Sequence, residues 1–123
     1  MTQDNASAAP PTVEGLSARE VAELHYKAIF EGDRAVWVAT LCERNREMAG
    51  RRGSSPDFWW DTGRRYATRY GVHYRFRQVS IEDPDYQKIF FDRLNADGSR
   101  RGRPVPIHMV LEGDTWGVKT ASY

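Results

Sequence analysis

The sequence predicts an α+β domain. Three N-terminal helices pack on one face of a curved four-stranded antiparallel sheet and leave a cone open at one end. Three observations carry this expectation. The apolar period is helical from Leu16 to Gly71 and alternates from Val72 onward. Cap residues divide the first half into three helices. The turn signals "EDPD", "NADG" and "EGD" divide the second half into four short strands.

"LSAREVAELHYKAIFEGD" opens with a capping box, in which Ser17 can accept from the amide three residues on while Glu20 reaches back. Val21, Leu24, His25, Ala28 and Ile29 then recur at helical spacing as one apolar stripe. Gly32 ends the helix as a left-handed cap, and Asp33 can start the next. Ala35, Val38, Ala39, Leu41 and Cys42 supply the buried side of the second helix, with Trp37 near its start. "EMAGRRGSS" reads as a loop. Ser55 caps a third helix, "PDFWWDTGRRYATRYG", with Pro56 at its first position and Gly71 closing it. Gly63 in its interior costs about 1 kcal/mol against alanine, which points to a closely packed neighbour or a bend.

"VHYRFRQVSI" places Val72, Tyr74 and Phe76 on one face and His73, Arg75 and Arg77 on the other. "YQKIFFDRL" is the second strand, and "NADG" signals a hairpin because Asp-Gly supports positive φ. "RPVPIHMVL" is the third strand and "TWGVKTASY" the fourth. Pro104 and Pro106 remove ladder donors, so the first half of strand three is expected at an edge or bulge. Within it Val105, Ile107, Met109 and Leu111 share one face, and Pro106, His108 and Val110 share the other.

At 123 residues the chain fits one domain, residues 16–123, preceded by a leader, residues 1–15, whose Ala, Ser, Pro and Thr content predicts disorder. The leader has neither the basic start nor the apolar run of a secretory signal. No apolar run approaches the roughly 20 residues of a membrane span. Cys42 is the lone cysteine, so there is no intramolecular disulfide and a cytoplasmic location is expected. Net charge is +1 but uneven, with nine Arg against three acids between residues 44 and 77. That basic middle is either a solvated set of arginines or an anion-binding surface, and no nucleic-acid-binding motif accompanies it.

The element order, with "HYKAIFEGD" early, a proline-bearing penultimate strand and a final strand of the form Trp-x-Val (Trp116, Val118), resembles the nuclear transport factor 2-like superfamily. This is the cystatin-like cone fold shared by ketosteroid isomerase, scytalone dehydratase, limonene epoxide hydrolase and polyketide cyclases. The resemblance covers residues 16–123. In ketosteroid isomerase an oxyanion-hole tyrosine lies seven residues before the glycine of the Gly-Asp turn, which is the position of His25 here. The family's neutral aspartic acid follows Pro-Ile in the penultimate strand, and "VPIHM" puts His108 there. The family's base should fall near Met48 or Ala49; no carboxylate occupies either position, and Glu47 is adjacent. The resemblance therefore implies two pocket-facing histidines without the isomerase base.

Two functional expectations follow. In the first, the cone binds a small hydrophobic organic molecule without a cofactor, and catalysis is proton transfer of the isomerase, dehydratase, cyclase or epoxide-opening kind. His108 and His25 polarise a carbonyl or hydroxyl, and Asp61, desolvated among Trp and Tyr, serves as general base. Trp37, Trp60, Tyr66, Tyr74 and Phe90 line the pocket. Two histidines with no third ligand imply no metal site. In the second, the cone is filled by its own side chains and the chain is a non-catalytic dimerisation or protein-interaction domain. His25 is then a core residue and Asp61 an exposed acid beside Arg64 or Arg65. Placing His108 inward turns Ile107, Met109 and Leu111 outward, so a homodimer through the sheet face is expected.

Overall fold

The structure, a computed structural model, describes residues 11–123. Most of the expected leader lies outside the described residues. Its end is packed, however: Val13 is buried in the core, and its carbonyl accepts from the Leu16 amide at 3.2 Å.

The chain is α+β, with an N-terminal helical half and a four-stranded antiparallel sheet that does not close into a barrel. Helix α1 (Ala18–Glu31) starts at the expected capping box: Ser17 Oγ accepts from the Glu20 amide at 3.1 Å, and Glu20 Oε1 accepts from the Ser17 amide at 2.8 Å. It stops at Gly32, whose φ of 77° is the left-handed cap an L side chain resists. The Arg64 guanidinium closes that end by donating to the Ile29 and Phe30 carbonyls at 2.7 and 2.8 Å.

The stretch expected as one second helix is instead two short ones, α2 (Arg34–Ala39) and α3 (Glu43–Met48). The break comes from a distant strand. Residues 40–42 leave helical geometry to pair with Val118, whose amide donates to the Thr40 carbonyl at 2.8 Å and whose carbonyl accepts from Cys42 at 2.9 Å. Helix α4 (Ser55–Tyr70) is capped by Ser54, one residue earlier than expected, and ends at Gly71. Gly63 does mark a close approach: a Cβ there would overlap Ile29 Cδ1 of α1 and lie 2.9 Å from its Cγ1.

Strands β1 (His73–Asp83), β2 (Tyr86–Leu94), β3 (Val105–Glu112) and β4 (Thr115–Ala121) form a meander in sequence order. Strand β3 is therefore interior and not at an edge, and of the two expected outcomes the irregularity is the one present: its pairing with β4 shifts register between His108 and Met109. Pro104 precedes the strand, and Pro106 sits near its start. The Pro106 carbonyl faces Ser122, beyond the end of β4, from whose amide it accepts at 3.1 Å. A residue's N and C=O point to the same side of a strand, so the missing donor faces the end of β4 and costs β2 no hydrogen bond.

The helices pack on the sheet face formed by Ile89, Phe91, Val105, Ile107, Met109 and Val118, all buried, with Val21, Ala22 and Ile29 of α1 opposite. This corrects the expected orientation of β3. Ile107 and Met109 face the core, whereas Pro106, His108 and Val110 lie half-buried on the opposite face. The more apolar face turns inward, as burial energetics require. The far half of β1, residues 77–83, is exposed on both faces. Among the described residues no helix is long and apolar enough to cross a membrane.

Candidate functional site

His25 lies on the buried stripe of α1 with no solvent exposure. Its Nδ1 is 2.7 Å from Thr40 Oγ1, and its Nε2 is 2.5 Å from Tyr123 Oη. The tautomer follows from Thr40. That hydroxyl has one proton, which it donates to the Trp37 carbonyl at 2.6 Å. It must then accept from His25 Nδ1–H, leaving Nε2 to accept from the Tyr123 hydroxyl. The relay from Tyr123 through His25 and Thr40 to Trp37 is complete when the imidazole is neutral. Burial pushes its pKa down to about 3. Burial also holds the Tyr123 phenol well above its usual range. Trp37 and Tyr26 pack around the ring with centroids 5.4 and 5.5 Å away. No room remains beside His25 for a substrate atom.

His108 is on the far side of the sheet, which overturns its expected inward placement. It shares a 2.6 Å hydrogen bond with the Tyr86 hydroxyl, and its pKa is lowered by partial burial and by Lys88 and Lys119. Asp61 is exposed on α4 and, among the described residues, forms no ion pair with Arg64 or Arg65. His25, His108 and Asp61 are thus in three different places, and the expected proton-transfer constellation is not assembled.

The expected aromatic wall is dispersed as well. Trp37 is core, with its Nε1 buried and unpartnered. Trp60 packs on it at 5.2 Å, with the Arg34 and Arg64 guanidinium groups 5.3 and 6.0 Å from its ring. Tyr66 is half-buried against the core, and Phe90 lies on the outer sheet face under Lys88 Nζ, 5.2 Å away. Only Tyr74 borders a ligand-sized space, an open cleft of about 570 Å³ between α1 and β1. Arg19, Lys27 and Phe30 also line this cleft, and none was singled out from the sequence. Their signal was available: Arg19, Glu23 and Lys27 recur at i, i+4 and i+8, a stripe on one side of α1.

Among the described residues no three His, Cys, Asp or Glu side chains cluster as metal ligands would. Asp92 is held instead by cations on the outer sheet face, with Arg77 3.1 Å and Arg75 3.7 Å from its carboxylate. No protein-family model matches the chain, and no curated protein matches it either.

Proposed function

We propose that this chain is a non-catalytic dimerisation domain of the nuclear transport factor 2-like type, a cone whose interior is filled by its own side chains. We place it in the cytoplasm, where its single, buried thiol, Cys42, stays reduced. The observation that carries the reading is the saturated relay at His25. The position that the resemblance assigns to an oxyanion donor spends both ring nitrogens on Thr40 and Tyr123. The other candidate histidine lies across the sheet from it.

Self-association is supported by the outer sheet face, on different residues from those first expected. Ile107 and Met109 are core and take no part. Phe90, Val110, Pro106 and Tyr86 are only half-buried, and Ile81 on the same face is 41% exposed. Lys88 and Lys119 share the face with Asp83 and Glu112, so it carries both signs, as a self-complementary two-fold contact needs. Light scattering at micromolar concentration tests this. A dimer is expected, and Phe90→Asp should give a folded monomer. A wild-type monomer, or a dimer that Phe90→Asp leaves intact, overturns the proposal.

A further inference from the structure

Helix α1 and the first half of β1 do not close on each other. The cleft between them has a volume of about 570 Å³ and is open to solvent. That volume is ligand-sized, since small-molecule sites run from roughly 300 to 1,000 Å³. Its floor is aromatic. Tyr74 stacks on Tyr26 at 4.3 Å, Phe91 tilts against Tyr26 at 4.8 Å, and Phe76 meets Phe91 edge-on at 6.0 Å.

The rim is cationic. Arg19 and Lys27 border the cleft against one acid, Glu23. Glu23 is within 3.5 Å of Arg19 Nε, and the Arg19 guanidinium lies 3.7 Å above the Phe76 ring centroid. These two contacts hold Arg19 flat against the floor. Among the described residues its Nη groups have no protein acceptor. Lys27 forms no ion pair among them. A preordered arginine over an aromatic floor presents donors to an anion and a flat surface to an apolar body.

We propose that this cleft binds a small amphipathic organic anion: a flat aromatic or alicyclic body carrying one carboxylate, sulfonate or phosphate. The body displaces water from Tyr74 and Phe76, and the charged group meets Arg19 and Lys27. A neutral analogue gains only the first contact, and a cationic one is opposed by the rim. The site is separate from the outer sheet face and holds for a monomer or a dimer.

The test is an amide NMR titration of the full chain with naphthoate and with neutral naphthamide. Naphthoate is expected to shift the amide signals of residues bordering the cleft, including Lys27, Phe30 and His73. Naphthamide should bind about threefold to fivefold more weakly, the worth of a partly exposed ion pair. High salt on the wild type, and Lys27→Glu with its folding checked by circular dichroism, should each abolish that preference. Equal binding of the two compounds overturns the proposal. So do shifts confined to the outer sheet face, or no shifts at millimolar naphthoate.

Discussion

Replacing His25 with leucine tests whether the interior is the closed, dry space described above. The unfolded imidazole has a pKa of 6.5, and the folded one is pushed down to about 3. Above the unfolded value neither state is protonated, and the group contributes nothing to the pH dependence. Between the two values the unfolded chain binds a proton that the folded chain refuses. Stability therefore falls as pH falls, by about 1.4 kcal/mol per pH unit. Over two units of acidification below the unfolded pKa, that amounts to about 2–3 kcal/mol. His25→Leu removes this loss. At neutral pH the variant is weaker by about 1–3 kcal/mol, because the buried Tyr123 hydroxyl loses its acceptor. Urea unfolding across the acidic range should show the variant's deficit at neutral pH shrinking on acidification and vanishing near about pH 5. The carboxylates titrate in both proteins and cancel in the difference. Parallel pH curves for the two proteins would show that His25 titrates normally and that the interior around it is not closed.

Two glycines give sharper stability predictions. Gly63→Ala should cost about 1–3 kcal/mol although alanine is the better helix former, because its Cβ overlaps the fully buried Ile29. A thermal midpoint equal to or above the wild type's refutes the packing. Gly117→Ala should fall at the upper end of that range of about 1–3 kcal/mol, since the new Cβ would lie 2.7 Å from Cys42 Cα, which is backbone. Amide exchange should report it as lost protection at Val118 and Cys42, whose hydrogen bonds bracket the contact. Unchanged exchange there would contradict the covered β4 edge.

Local signals in the sequence were followed closely by the fold. The Ser17–Glu20 box, the Gly32–Asp33 junction, the Gly71 cap and the whole of β2 appear where their residues predict them. Each is decided within a few positions by cap and turn chemistry. The break at residues 40–42 was illegible because its cause is Val118, far along the chain, whose edge needs partners. The His25 relay was illegible for the same reason, with 98 residues separating it from Tyr123. The orientation of β3 is a different case. Val105, Ile107, Met109 and Leu111 outweigh Pro106, His108 and Val110 in apolar surface, and that comparison alone turns His108 outward. The position-by-position carry-over from ketosteroid isomerase pointed the other way, and the burial of Ile107 and Met109 overrides it.

That orientation also bears on whether the two histidines could meet in a minor conformation. Side chains alternate along a strand, so bringing His108 to the inner face requires β3 to slip by one residue against β2 and β4. The slip would turn Ile107 and Met109, both fully buried, toward the outer face. Exposing two such side chains costs about 1.5–3 kcal/mol each. His108 would also lose its bond to Tyr86, and Pro106 would lose its carbonyl contact with Ser122. Arriving inside, it would meet a His25 whose two nitrogens are already committed. The cost comes to a large share of the roughly 5–15 kcal/mol that holds a typical domain folded. A two-histidine pocket is therefore not a thermally accessible state of this sheet.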